Sequence, residues 1–167
     1  MRKLLAILAL CLATLGCSTQ PTEVMLVVDG EFDTPAEVDH IDVTITSPSG
    51  ATLTSTATFD ASNPGFPRTL GIVQGSGGAG TYVVDVVAKL GSGTVVRRRA
   101  SFRFTTNQVR MLRVDLLRDC VNVNCASDRT CSEGGLCDRI DVSTTPWHGA
   151  PSTQFDAGAA GSPIVAP

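Results

Sequence analysis

Seven short runs rich in β-branched residues fill the chain between Thr22 and Asp119, and clusters of Gly, Pro, Asn and Ser separate them. The runs read EVMLVVDG, IDVTITSPSG, ATLTSTATF, RTLGIVQG, TYVVDVVAKL, TVVRRRASFRF and VRMLRVDLL. None of them favours a helix. Strand-prone runs at this spacing, with turn residues between them, are typical of an antiparallel β-sandwich. Residues 23–119 are therefore predicted to form one all-β domain, long enough to bury a hydrophobic core.

The last three runs fit a single register. The loop LGSGT is a Gly-containing hairpin connection between the first two of them. In the register that it allows, the facing pairs are Leu90 with Thr94, Tyr82 with Phe102, Val84 with Ala100, and Asp85 with Arg99. The third run then lies beside the second, with Arg99 opposite Asp115 and the apolar side chains on one face. Because a shift by one residue would turn that apolar set outward, we predict this three-stranded sheet within an Ig-like sandwich.

A row of basic side chains follows from this register. The row, called the arginine stripe, consists of Arg97, Arg99 and Arg103. One interpretation is a docking surface for anionic polysaccharide or lipid headgroups. The other is an ordinary solvated face, because Asp85 and Asp115 share it and cross-strand ion pairs contribute only ~0.2–1 kcal/mol each. Arg98 points to the apolar side, where its stem is expected to pack while its guanidinium reaches water.

The N-terminus has the pattern of an export signal. Met1, Arg2 and Lys3 form a basic head, and a mostly apolar stretch of about a dozen residues ends just before Cys17. This pattern predicts a signal peptide over residues 1–16. The apolar stretch is shorter than the ~20 residues that a membrane-spanning helix needs. The chain is therefore expected to leave the cytoplasm without being held in a membrane by a helix.

The residues around Cys17, ATLGC, resemble the lipobox of bacterial lipoproteins, in which the cysteine is lipidated and begins the mature chain. Gly16 matches that pattern, whereas the Thr-Leu pair before it departs from the usual Leu and small residue. The resemblance implies a lipid anchor at Cys17, a polar tether over residues 17–22 and, from Ser18, an outer-membrane location. More than one acyl chain makes such anchoring stable. The other interpretation is ordinary cleavage nearby, which leaves Cys17 as a free thiol.

Four cysteines fall within eighteen residues in the spacing C-x4-C-x5-C-x5-C. They are Cys120, Cys125, Cys131 and Cys137. Structural zinc sites usually draw ligand pairs from tight turns, redox centres use C-x-x-C, and haem attachment needs C-x-x-C-H. This segment has no histidine and neither of those motifs, so the sequence predicts no metal ion and no other cofactor. An even number of cysteines in an exported chain predicts two disulfides, and the spacing leaves three connectivities open.

The C-terminal residues 141–167 are rich in Pro, Ala, Gly, Ser and Thr and show neither strand nor helix periodicity. Such a segment buries too little apolar surface to offset the entropy lost when it becomes ordered. We therefore predict a disordered tail, in which Trp147 and Phe155 are the only aromatic residues.

Charge and missing motifs narrow the function classes. Without the predicted signal peptide, eleven basic side chains face sixteen acidic ones, a net charge of −5, and an acidic domain is a poor nucleic-acid binder. His40, with Asp39 and Asp42 nearby, is the one candidate for hydrolysis, and no nucleophile motif accompanies it. The sequence therefore favours a non-enzymatic binding or scaffolding protein. An accessory carbohydrate- or cell-wall-binding domain is the alternative, and a hydrolase centred on His40 ranks third.

The whole arrangement resembles a group of exported lipoproteins of myxobacterial type, which combine a lipobox, a sandwich domain, a short cysteine module and a low-complexity tail. Here TCSEGGLC closes the cysteine module, residues 120–140. The resemblance implies a protein of the cell envelope that is anchored to the membrane and whose partner is another envelope protein or a polysaccharide. The cysteine module also resembles small EGF-like knots, which implies the interlaced disulfides Cys120–Cys131 and Cys125–Cys137.

Overall fold

Two β-sheets pack face to face, so the predicted sandwich is confirmed. The structure is a computed structural model that describes residues 20–63, 65–149, 153–154 and 164–167. The predicted signal peptide and Cys17 lie outside these residues. Within the described ranges, no helix is long and apolar enough to cross a membrane, and no group of three or more metal-ligating side chains occurs.

The seven strands of the sandwich follow the predicted runs. The first sheet contains β1 (Glu23–Gly30), β4 (Arg68–Val73) and β7 (Val109–Leu116), in the order β7-β1-β4. The second contains β2 (His40–Thr46), β3 (Thr52–Thr58), β5 (Tyr82–Leu90) and β6 (Gly93–Phe102), in the order β3-β2-β5-β6. Alternate side chains of these strands point inward, and Leu26, Val43 and Val84 are examples that are fully buried. The period-2 apolar pattern therefore closes the two inner faces into one core.

The last strand of the sandwich joins a different sheet from the one predicted. β7 runs parallel to β1, with Leu112 opposite Leu26, so the predicted β6–β7 ladder and its facing pair Arg99–Asp115 are wrong. The apolar alternation of β7 determines which of its faces is buried, but it does not determine the neighbouring strand, because β7 would bury that face beside either β1 or β6. Every other pairing among these seven strands is antiparallel, as predicted.

The β5–β6 hairpin keeps the predicted register over most of its length. The facing pairs confirmed by the structure are Tyr82–Phe102, Val84–Ala100 and Asp85–Arg99. A β-bulge after Ala88 then shifts the register, so Leu90 pairs with Gly93 instead of Thr94. Gly91 adopts a φ of +58° in the resulting two-residue turn, a conformation that costs glycine little. The bulge is the reason why the predicted three-residue loop is wrong.

Two disulfides crosslink the cysteine module internally, and one of them packs against the sandwich. They connect Cys120 with Cys131 and Cys125 with Cys137, which is the interlaced pairing that the EGF-like resemblance implied. Cys120 and Cys131 are only 1% and 2% exposed and pack in the sandwich core. One of the two disulfides is therefore part of the core.

The cysteine module covers the outer edge of β6. Its hairpin consists of β8 (Arg129–Cys131) and β9 (Cys137–Arg139). The Arg99 backbone N–H donates to Oγ1 of Thr130 at 2.8 Å, and the Ser101 N–H donates to the Ile140 carbonyl at 2.6 Å. These bonds use the edge that the sequence had assigned to β7, so the chain leaves no place for β7 there.

The described part of the C-terminal tail forms short strands, which corrects the prediction of disorder for those residues. They are β10 (Thr145–Pro146), which pairs with β7, and β11 (Thr153–Gln154) and β12 (Ile164–Val165), which pair with β4. Ala166 is fully buried, and a Cβ on Gly75 would clash with the Ala166 carbonyl oxygen. Two-residue ladders have no periodicity that a sequence can reveal. The rest of the predicted tail, Phe155 included, lies outside the described residues.

The ion pair between Arg118 and Glu37, called the latch, holds the connection between β1 and β2 in place. Arg118, just after β7, donates to both carboxylate oxygens of Glu37 at 2.8 and 2.6 Å, and its Nε donates to the Glu31 carbonyl at 3.0 Å. Its guanidinium also lies 5.3 Å from the ring centre of Phe32. The Arg118 hydrogen bonds, and after them the Asp33 N–H, lower the pKa of Glu37 from the usual 4.5 to about 2.

We expect acid to weaken this latch in a defined window. Because the pKa of Glu37 is lower in the folded chain than in the unfolded one, its stabilising effect is complete above pH 4.5 and is lost as the pH falls toward 2. The Glu37→Gln variant should have a lower Tm than the wild type near neutral pH, yet lose less of it on acidification. Thermal unfolding followed by circular dichroism across this range measures both slopes. An Arg118→Met variant should flatten the same window, and parallel curves for wild type and Glu37→Gln contradict the assignment.

Candidate functional site

The first two members of the arginine stripe are bound to one carboxylate. Nε of Arg97 lies 2.8 Å from Oδ1 of Asp85, and Nε of Arg99 lies 3.7 Å from Oδ2 of the same residue. Arg99 also donates from Nη1 to the Ala126 carbonyl at 3.1 Å. The predicted pairing with Asp85 is therefore confirmed, whereas Asp115 belongs to the other sheet and does not share this face.

The third member of the stripe lies beyond the end of β6. Nε of Arg103 donates to Oγ1 of Thr81 at 3.1 Å, and Arg103 lines an open groove of about 240 Å³ together with Asp141. Asp141 accepts a hydrogen bond from the Ser101 hydroxyl at 2.8 Å. That bond, and then those from Arg139, lower the pKa of Asp141. An ionised carboxylate thus accompanies Arg103, and the stripe does not form a continuous basic surface.

His40 begins β2 beside the β5–β6 turn. Its Nδ1 lies 2.5 Å from Oδ1 of Asp39. The other carboxylate oxygen of Asp39 accepts the Gly91 N–H at 2.7 Å, and this bond, followed by the one with His40, lowers the pKa of Asp39. Asp42 pairs with Lys89 instead, at 2.7 Å. Among the described residues, no hydroxyl or thiol forms a hydrogen bond with His40.

A cleft of about 640 Å³ opens between the sandwich and the cysteine module. The C-terminal ends of β1 and β7 form one wall, because the two strands are parallel and finish at the same edge with Asp29 opposite Asp115. Residues 132–138 of the cysteine module supply the other wall. The apolar lining consists of Leu116, Leu117 and Leu136. We call it the Arg98 cleft, after the β6 arginine that reaches into it.

Arg98 lies on the apolar face of β6, where its neighbours Val96 and Ala100 are buried, and it lines the cleft from there. Its Nε and Nη1 are buried without a hydrogen-bond partner, and no described carboxylate forms an ion pair with it. Burial lowers the pKa of the guanidinium, and the charges of Asp115 and Asp138 oppose that effect. A buried donor without a partner costs about 1–3 kcal/mol. The predicted escape of the guanidinium to water is therefore wrong for these two nitrogens, because the cysteine module and β7 enclose them.

Five carboxylates line the Arg98 cleft, namely Asp29, Glu31, Asp115, Glu133 and Asp138. Arg113 pairs with Asp29 at 2.7 Å and with Asp115 at 2.8 Å. A backbone N–H donates to the Glu31 carboxylate at 2.8 Å. Within the described chain, the carboxylates of Glu133 and Asp138 accept no hydrogen bond and form no ion pair. Three charged groups of the cleft therefore remain uncommitted: one guanidinium and these two carboxylates.

Comparisons with known proteins do not identify this arrangement. The chain matches no protein-family model, no curated protein and no solved structure. A cleft with uncommitted groups of both signs, beside exposed leucine surface, is suited to bind a polar molecule that carries both charges.

The sequence signals Arg98 but not the carboxylates that accompany it. Arg98 stands between Val96 and Ala100, so it is a charged residue at a position where the period-2 pattern expects an apolar one. Glu133 and Asp138 have no such signal, because their place depends on how the cysteine module docks on the sandwich. That docking follows from a disulfide pairing that the cysteine spacing alone leaves open.

Proposed function

We propose that this protein is a non-enzymatic binding module of the cell envelope, anchored to the outer membrane through a lipidated Cys17, and that the Arg98 cleft contacts its partner. The observation that carries the proposal is the Arg98 guanidinium, whose Nε and Nη1 are buried without partners. Buried polar groups in folded proteins are almost always hydrogen-bonded, so donors without protein partners at the wall of a cleft are available to a ligand that enters it.

Two features support export and anchoring. The N-terminal basic head, apolar stretch and Gly16-Cys17 have the pattern of a lipoprotein signal. The disulfides Cys120–Cys131 and Cys125–Cys137 suit an oxidising compartment, since disulfides rarely persist in a reducing cytosol. A lipid-anchored domain on a short tether would present the Arg98 cleft to other envelope components.

The alternatives receive less support from the geometry. Polysaccharide binding along the arginine stripe requires cations that are available, but Arg97 and Arg99 already share Asp85. A hydrolase centred on His40 requires a nucleophile beside the imidazole, and the hydrogen bond of His40 is with Asp39. Binding at the Arg98 cleft uses groups that have no other engagement in the described chain.

Anchoring is tested on the full chain, produced in a bacterial host that processes lipoproteins. We expect an intact mass that begins at Cys17 with acyl chains attached, and four thiols that appear only after reduction. The protein should sediment with membranes, and the Cys17→Ser variant should not. An unlipidated mass for the wild type would overturn the anchor, and the protein would then be a freely secreted one.

The same cells test the binding role of the cleft. A photo-crosslinking amino acid replaces Leu136, which is 65% exposed at the cleft, or Leu90, which is 47% exposed at the β5–β6 turn. We expect a discrete crosslinked product from position 136, lost when Arg98→Met is added, and none from position 90. Equal crosslinking at both positions, or no effect of Arg98→Met, would remove the cleft from the proposal.

A further inference from the structure

We propose that the Arg98 cleft binds a small zwitterion with a carboxylate and an ammonium group, of the class of short peptides. This inference rests on the proposed function and names the ligand chemistry of the same site. It follows from the uncommitted charges of the cleft, from their signs and from the space around them.

Arg98 supplies the site for the carboxylate. Its guanidinium has no ion-pair partner among the described residues, and two of its nitrogens are buried with unused donor capacity. Guanidinium and carboxylate match in geometry and form strong charge-assisted hydrogen bonds. Because no hydrogen bond from the described residues holds the guanidinium of Arg98, its donors remain available to an anion that enters the cleft.

Glu133 and Asp138 supply the site for the ammonium group. Both side chains are exposed residues of the cysteine module on the wall of the cleft, and neither carboxylate has a partner in the described chain. Asp138 also lies near enough to Arg98 to act on the charge of its guanidinium. A ligand with charges of both signs could therefore reach Arg98 and Asp138 together.

A ligand of a single charge fits the cleft less well. Five carboxylates and two guanidiniums give the lining a net charge of −3, so a simple anion would be repelled on its way to Arg98. A metal cation at the two uncommitted carboxylates would lie beside the Arg98 guanidinium, and like charges repel. A zwitterion avoids both conflicts.

The space and lining of the cleft suit a short peptide. Its volume of about 640 Å³ lies within the range of small-molecule sites, about 300–1,000 Å³. Leu136 is 65% exposed and lines the cleft together with Leu117, so small apolar side chains of a peptide would find a surface to cover.

The test uses three matched probes and the full mature chain. L-alanyl-L-alanine carries both charges, its C-terminal amide lacks the carboxylate, and its N-acetyl derivative lacks the ammonium group. Chemical-shift titrations by NMR measure affinity and location for each probe. We expect the dipeptide to bind at least tenfold more tightly than either blocked form, with shifts confined to residues of the Arg98 cleft.

Variants assign each half of the ligand. Arg98→Met should abolish the preference for the dipeptide over its amide and leave the preference over the N-acetyl form. Asp138→Asn should abolish the preference for the dipeptide over its N-acetyl form and leave the preference over the amide. This variant tests the proposal independently, because the Asp138 side chain is exposed and its change does not threaten folding. Arg103→Met, an exposed arginine outside the cleft, is the matched control and should leave all three affinities unchanged.

The outcomes separate this inference from the proposed function. Equal binding of the three probes, or shifts away from the cleft, would overturn the zwitterion. If crosslinking from position 136 still depends on Arg98, the cleft remains a binding site for a ligand of other chemistry. If crosslinking at position 136 is also absent, the proposed function itself fails.

Discussion

Replacing Cys120 and Cys131 together by alanine should lower the free energy of unfolding of the whole domain by about 3 kcal/mol or more. The chain-entropy model gives ~3 kcal/mol for closing a short loop, and this bond closes one with a sequence separation of 11. Both cysteines are also buried in the sandwich core, at 1% and 2% exposure, so the sandwich loses packing as well as a crosslink. Alanine is preferred to serine because a buried hydroxyl without a partner would add its own cost.

The second disulfide is the matched control. Cys125–Cys137 has a sequence separation of 12, so loop entropy alone predicts almost the same loss. Its cysteines are only partly buried, and we therefore expect the paired alanine variant to loosen the cysteine module while the sandwich unfolds near the wild-type midpoint. Urea denaturation followed by circular dichroism measures unfolding of the sandwich, and hydrogen exchange at the Arg99 amide measures loosening of the cysteine module. Equal losses of stability for both pairs would show that burial of the first disulfide has no consequence.

The sequence predicts the strands and their inward faces because those depend on local alternation. Residues Tyr82 to Asp85 pair with Arg99 to Phe102 as predicted, since a hairpin brings neighbouring segments together and one slip would expose the core. Local alternation does not predict which strand pairs with β7. Leu112 would be buried whether β7 lay beside β6 or beside β1. Which strand β7 pairs with depends on the cysteine module, which covers the edge of β6.

The candidate site could be predicted only in part, for a related reason. A charged residue at an apolar position of a strand pattern is visible in the sequence, and both Arg98 and Arg68 are of this kind. What surrounds such a residue depends on contacts distant in the chain. Arg98 meets the cysteine module, whose docking follows from the disulfide pairing, whereas Arg68 meets the loop that precedes its own strand.

Arg68 shows what a buried arginine contributes when both its terminal nitrogens donate hydrogen bonds. The side chain is fully buried at the start of β4. Its Nη1 donates to the Asn63 side-chain oxygen, and its Nη2 donates to the carbonyls of Asn63 at 2.5 Å and Thr58 at 3.2 Å. The guanidinium carbon lies 4.6 Å from the ring centre of Phe59. One side chain therefore holds the end of β3 and the loop after it against the core.

We expect Arg68→Met to lower the free energy of unfolding by about 3 kcal/mol, since hydrogen bonds to a charged group contribute ~1.5–3 kcal/mol and buried acceptors left behind add a penalty. For a domain of this size the Tm should fall by roughly 10–15 °C. Methionine keeps most of the aliphatic volume, so the loss reports on the polar contacts of the guanidinium. Calorimetry measures the change, and hydrogen exchange should increase at Asn63 and its neighbours first.

Desolvation of the Arg68 guanidinium opposes the stabilisation by its hydrogen bonds, and the neighbouring Thr69 provides the control for this effect. Removing a buried charge can be neutral or stabilising when an apolar side chain fills the space, so an unchanged Tm for Arg68→Met would mean that desolvation of the guanidinium cancels its hydrogen bonds. Thr69 is also buried, at 4% exposure, but its hydroxyl has no partner among the described residues. Thr69→Val should therefore raise the stability by up to about 1 kcal/mol. Opposite signs at these adjacent positions would show that it is the pairing of a buried polar group, rather than its burial, that decides what it contributes.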